Sequence, residues 1–403
     1  MLPLNPLATN RLSALPVVLL CFCVCPLGCN PGSGNEAYEI GIDFFEDQQY
    51  AKAVSFITKA LEVDGGLPLA HYYRGVSYLR LNKFDEALAD LTVAIEENPQ
   101  HADAYAHRSN AFYELEQYEK AFADADQAVQ LEPENGLAYL MRGQARLELG
   151  QMDQAVSDLG RQLQLQPEGD RARAYVGLGA AYMAKGDYQE AKFNLDRAVK
   201  AYEDAMRRNP KHQTTDTQRG KVWRGKETYD AAAEAYVSRG DLWLLQNNPQ
   251  QALQDYTRAV NAAEDRPKGY LRRSSLYRQR NNCFGAARDL ERLIEIEPDL
   301  PVAHAALAWV LATCPEERNR DEWNALQHAK KALELAGANV KPFYLEALAA
   351  AYAEAENFSA AVEQQQAAID LAGEDTDRDE MQERLKLYQV DQPYRDTTQE
   401  ARW

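Results

Sequence analysis

Five arginines in this chain are each followed sixteen residues later by an aspartate: Arg74 and Asp90, Arg108 and Asp124, Arg142 and Asp158, Arg239 and Asp255, Arg273 and Asp289. A guanidinium facing a carboxylate forms two parallel, charge-assisted hydrogen bonds of fixed geometry. Such a series either clasps the chain to itself or offers a basic ladder to an anionic ligand. The other reactive side chains suggest less. His71, His101, His107, His212, His304 and His328 show no HExxH or other ligand spacing, and no CxxC pair follows residue 29, so no metal site is expected. Gly177-Leu178-Gly179 lacks the third glycine and the preceding strand of a nucleotide turn. Carboxylates are plentiful, but no pair stands out as a catalytic dyad. Catalytic, cofactor-binding and metal-binding residues are all expected to be absent.

The elements that must position these residues follow a period. Gly41, Gly75, Ser109 and Gly143 stand 34 residues apart, as do Ala53, Ala87, Ala121 and Ala155, and also Phe44, Tyr78 and Phe112. If the glycine series is position 8 of a unit, apolar or small residues fall at 4, 8 and 11 and again at 20, 24 and 27. Each set marks one face of a helix. Small residues at 8 and 20 let two helices approach closely. Pro99, Pro133, Pro167 and Pro298, at position 32, end the second helix. The unit is helix, turn, helix, stop. Nine units begin near 34, 68, 102, 136, 172, 233, 267, 301 and 342, and the phase slips before the fifth, before the sixth and in or just after the eighth.

The stretches HYYRGVSYLRLNKFDEALADLTVAIEENP (71–99) and AYVSRGDLWLLQNNPQQALQDYTRAV (235–260) resemble the tetratricopeptide-repeat family. That resemblance, over roughly 34–374, implies an all-α solenoid of helix-turn-helix units, wound as a right-handed superhelix of about nine repeats. The expected divisions are repeats one to five over 36–208, a linker or loop over 209–228, repeats six to nine over 229–374, and a capping helix with a polar tail over 375–403. Met381, Leu385 and Leu387 are the partly apolar face expected of that cap.

In unit numbering the arginines occupy position 7, where the family usually has leucine, and the aspartates position 23. The four units without the arginine carry Phe56, Asn194, His328 and Gln364 at position 23. The two positions change together, so a clasp between helices is expected rather than a ladder.

The resemblance also implies a concave groove lined by first-helix residues. Candidates in the first half are Tyr38, Tyr72, Asn110, Tyr113 and Gln144, with Phe45 beside them. The seventh repeat supplies Lys268, Arg272, Ser275 and Arg278, a basic cluster suited to a carboxylate or an acidic peptide. The plainer alternative is a solvated helix face. The charge pattern of chaperone-tail clamps is missing, because Val176, Ala180 and Ser238 stand where its first three polar residues belong.

Leu12 to Leu27 is an apolar run too short and too broken by proline to span a membrane, and it reads as a secretory signal over 1–28. Its close on Gly28-Cys29, followed by a small, polar tether over 29–35, resembles a bacterial lipoprotein signal. The resemblance implies lipidation of Cys29 and an exported, envelope or periplasmic protein, with plain secretion as the alternative. Cys283 and Cys314 are expected to be packed thiols, with a bridge conceivable. A net charge of −18 argues against nucleic acid. The expected function is to hold a protein or peptide ligand, without a cofactor, with contact to membrane only through the lipid. The alternative is a structural scaffold or self-associating component.

Overall fold

The computed structural model describes residues 34–67, 69–166, 171–208, 226–373 and 378–397. The expected signal over 1–28, Cys29, almost all of the expected 209–228 linker and the last six residues lie outside them. The first helices of the nine repeats are α1 (Gly34–Glu46), α3 (Ala70–Arg80), α5 (Ala102–Glu114), α7 (Gly136–Glu148), α9 (Arg171–Ala184), α11 (Lys226–Leu245), α13 (Pro267–Gln279), α15 (Pro301–Thr313) and α17 (Pro342–Glu354). Their partners are α2 (Tyr50–Val63), α4 (Phe84–Glu97), α6 (Tyr118–Leu131), α8 (Met152–Leu165), α10 (Tyr188–Arg208), α12 (Pro249–Ala262), α14 (Cys283–Ile296), α16 (Glu322–Ala336) and α18 (Phe358–Leu371), and α19 (Arg378–Gln389) closes the stack. The solenoid expected from the period is the fold, with no strand among the described residues.

Close approach within a repeat depends on the missing side chain at position 8. A Cβ on Gly41, Gly75, Gly143, Gly179 or Gly240 would stand 2.4–2.9 Å from Ile57, Leu91, Leu159, Leu195 or Tyr256 at position 24. In the third repeat Ser109 takes the glycine's place, its partner shrinks to Ala125, and the buried Ser109 Oγ donates to the Ala121 carbonyl at 2.7 Å. The chain then reverses at position 15, which has positive φ in eight repeats: Gln48, Asn82, Glu116, Gly150, Gly186, Asn247, Asn281 and Glu356. This left-handed residue is a common way to end a helix.

The eighth repeat has Pro315 at that place, and a proline cannot take positive φ. The chain detours through a 3-10 turn at Glu317–Asn319 until Asp321 caps α16, accepting from Asn324 N–H at 3.0 Å. Most of the eighth unit's extra length lies in this turn. A disulfide joins Cys283, at the start of α14, to Cys314, just after α15. The expectation of two packed thiols is therefore corrected. The bridged residues are distant in sequence, but the turns of adjacent repeats stack side by side.

The five Arg–Asp pairs form as the co-variation implies. Arg74, Arg108, Arg142, Arg239 and Arg273 each donate through Nε and Nη2 to both oxygens of Asp90, Asp124, Asp158, Asp255 and Asp289, at 2.7–2.9 Å. Four also reach back one repeat through Nη1 to position 25: Arg74 to Thr58, Arg108 to Thr92, Arg142 to Asp126 and Arg239 to Asp196, at 2.7–3.3 Å. One guanidinium thus ties two helices of its own repeat and the second helix of the repeat before.

The last of these links crosses the interruption between the fifth and sixth repeats. There Ala198, Val199 and Tyr202 of α10 share a core with Ala235 and Tyr236 of α11 and Tyr256 of α12. The stacking therefore runs through the break. At the far end Met381 of α19 packs on Ala368 and Ile369, with Leu385 against the same cluster and Leu387 beside Tyr388.

Arg273 and Asp289 form the most enclosed of the five clasps, with side chains 9% and 2% exposed. Breaking a buried pair strands a charge, whereas replacing both partners with apolar residues does not. Asp289→Ala is expected to cost about 3 kcal/mol, and Arg273→Met with Asp289→Leu clearly less, as read by denaturant unfolding. Reducing the disulfide should lower stability by about 2–4 kcal/mol, an effect that Cys283→Ser abolishes.

Candidate functional site

First helices of successive repeats touch one another, α5 with α7 and α15 with α17 among them. They form the inner layer of a curved stack, and the candidate groove residues lie on them. Phe45 stands edge-on to Tyr73, Tyr73 to Tyr72, and Tyr72 lies over His101 and His107, with centroids 4.6–5.8 Å apart. This aromatic row links the first three repeats. His101 and His107 were not among the sequence candidates, because histidine carries no fixed spacing in the repeat and only stacking reveals the contact.

Burial, then Tyr73, raises the Tyr38 hydroxyl pKa; burial, then Asp103, raises that of Tyr72 well above the usual phenol value. Both stay neutral donors. Tyr113 donates to Glu148 at 3.2 Å. Burial first, then the carboxylates of Glu148 and Glu234, push its pKa up strongly. Glu234 belongs to α11, so curvature brings the sixth repeat within electrostatic range of the third. Gln144 accepts from Arg173 at 3.2 Å, while Asn110 Oδ1 is buried with no hydrogen-bond partner.

The basic cluster of the seventh repeat is matched within the chain. Lys268 lies 3.6 Å from Glu234, and Arg272 lies 3.3 Å from Asp241, which also accepts from Tyr256 at 2.6 Å. Desolvation raises the Asp241 pKa despite Arg272 and the tyrosine hydrogen bond. Ser275 is buried. Arg278 differs most from expectation: it is 5% exposed and holds Asp396 of the C-terminal segment. Lys268 and Arg272 are exposed as well as paired, while Arg278 is buried and engaged.

Outside these rows, His304 and His328 replace the Arg–Asp clasp in the eighth repeat, with their Nδ1 atoms 2.9 Å apart. Burial and the neighbouring His304 lower the His328 pKa. Among the described residues no three His, Cys, Asp or Glu side chains gather as a metal site.

Two tetratricopeptide-repeat models match this chain, one over residues 38–102, 74–135 and 106–170 and the other over 172–204. These segments are tetratricopeptide repeats, and the later helix pairs continue the solenoid. Bacteriophage adsorption protein A of Escherichia coli (strain K12) is 37% identical over 67 residues, 17% of this chain and 7% of that protein. The match therefore spans a small fraction of its length. Among solved structures, a tetratricopeptide repeat protein from Parabacteroides merdae ATCC 43184 aligns with a TM-score of 0.49 at 19% identity, covering 68% of this chain and 97% of that one. The Cut9-Hcn1 hetero-tetramer of APC/C aligns at 0.53 and 14% identity, covering 79% and 55%. The second alignment bears on the fold alone.

His107 supplies a pH test of the aromatic row. Burial, then the Arg80 guanidinium, lowers its pKa to about 4 from an ordinary 6.5. The folded state then disfavours the proton that the unfolded chain takes up. Its stabilising share is complete above pH 6.5 and should be lost as pH falls to 4, by up to about 3 kcal/mol. Denaturation against pH should show this loss, and His107→Gln should remove it.

Proposed function

We propose that this array of tetratricopeptide repeats is a non-catalytic adaptor of the bacterial cell envelope that holds a protein or peptide against its inner face. The observation that carries the reading is the pair of features on the first helices: a row of stacked neutral aromatics, and Asn110 Oδ1 on α5, a buried acceptor without a partner. A buried acceptor is costly to leave unmade, and a backbone N–H of an extended ligand supplies what it lacks. Tyr38, Tyr72 and Tyr113 offer large, stiff contact area with polar ends, the chemistry common at binding hot spots. Gln144, Lys268 and Arg272 extend the polar part of the face, with Ser275 buried behind them.

Three observations support the envelope setting. The leader ends on Gly28-Cys29, as a lipid-bearing export signal would. The Cys283–Cys314 disulfide suits an oxidising compartment such as the periplasm. The 67-residue match is to a protein named for bacteriophage adsorption, which fits a surface location. In this reading Cys29 bears a lipid that tethers the array to a membrane. No helix among the described residues is long and apolar enough to cross one.

Capture from an envelope fraction with residues 30–403 should retain a defined set of proteins. Asn110→Ala combined with Tyr113→Ala should reduce their recovery at least about tenfold, a loss of about 1.4 kcal/mol. Concentration-dependent self-association in light scattering, with no capture that depends on these residues, would favour the scaffold instead. Metabolic lipid labelling should disappear in Cys29→Ala.

A further inference from the structure

The chain does not leave the cap as a solvated tail. After α19 it reverses at Asp391, which has positive φ, with Gln392 N–H bonded to the Leu387 carbonyl at 2.9 Å. It then lies across the first helices of three successive repeats. Asp396, 5% exposed, accepts from Arg278 Nη1 of α13 and from Trp309 Nε1 of α15 at 3.0 Å. Its backbone N–H donates to the Thr313 carbonyl at 2.8 Å. Arg395 donates to the Ala312 carbonyl at 3.2 Å and stands 2.7 Å from Glu354 of α17. The Tyr394 ring packs 5.7 Å from that of Trp309, and the buried Arg384 guanidinium lies 5.5 Å from each.

These contacts have the form of peptide recognition. One backbone bond, from Asp396 N–H to the Thr313 carbonyl, ties the segment to α15, an aromatic ring packs against apolar side chains, and a carboxylate two residues on is gripped by a buried arginine and an indole N–H. We infer that the inner face of repeats seven to nine is a peptide site occupied by the chain's own tail, and that the partner it admits is a protein whose extended segment carries an aromatic residue two positions before a carboxylate. The inference rests on the adaptor reading. Electrostatics selects this partner. Removing Asp396 without replacement takes a carboxylate from Arg278 in a nine-tenths-buried position, an outcome that buried ion pairs resist. A segment with an acid at that place is therefore favoured over one without. Tethering gives the tail a local concentration on the order of millimolar, so a competitor must bind tightly or meet a tail already released.

The test uses the full chain, residues 30–403, and a fluorescent peptide of sequence VDQPYRDTTQEARW, matching residues 390–403. Wild type should bind the peptide weakly. The full chain carrying Tyr394→Ala and Asp396→Ala, whose tail can no longer compete, should bind it at least tenfold more tightly. That gain should vanish when the same two changes are made in the peptide, and also when Arg278→Met is added to the protein. Equal peptide affinity for wild type and the tail variant, with unchanged helical circular dichroism, overturns the inference. If the variant does not fold, a chain ending at Gln389 takes its place with the same expected gain, and no gain there overturns it equally. Concentration-dependent dimers of wild type that the tail changes dissolve would make a second copy the occupant and also overturn the partner assigned here. This titration does not involve Asn110 or Tyr113, so its failure leaves the adaptor reading standing. Failed groove-dependent capture with intact peptide exchange would do the reverse.

Discussion

A guanidinium that must satisfy its donors out of water sets the geometry of most of this solenoid. An arginine at position 7 lies between the helices of its own repeat and the second helix of the repeat before. Its fork is completed by Asp at 23 and, in four of the five cases, by Thr or Asp at 25. The net energy of such pairs is small, because desolvation offsets attraction. Their effect is on register: a repeat that slides or rotates against its neighbour strands a charge. Apolar contacts alone, made here largely by alanine and leucine, would tolerate several helix offsets.

Repeats without the clasp use other devices. In the fifth, Asn194 turns inward to bond the Glu190 carbonyl of its own helix. The following Arg239 reaches back to Asp196 across the long interruption, so the joint is held from the other side. The eighth substitutes a histidine pair and adds a disulfide to the neighbouring turn. The ninth has Leu348 at position 7, and Glu346 is instead met by Arg384 of the capping helix, itself 2% exposed. The end of the array is thus closed by the same chemistry, with the cap supplying the arginine.

The strongly acidic composition is not spread evenly over the inner face. The first repeats present neutral aromatics. In the seventh, each basic candidate stands against an acid from elsewhere in the chain: Glu234, Asp241 or Asp396. The basic side chains of that repeat are therefore neutralised within the chain.

Much of this was legible in the sequence. The period of 34 fixed the repeat count and helix order, and the joint change at positions 7 and 23 revealed a contact between residues sixteen apart. Both are signals that repetition amplifies, because the same local constraint is written several times. What occurs once was not legible. The Cys283–Cys314 bridge depends on the stacking of two adjacent turns. Arg278 read as a free cation because Asp396 lies 118 residues away, in a tail whose polar sequence gives no sign that it folds back. The sequence determined the unit and its clasp, since those follow from neighbours along the chain. Only the superhelical curvature decided which first-helix residues meet solvent, a distant repeat or the chain's own end, because that depends on how small rotations between repeats accumulate through the stack.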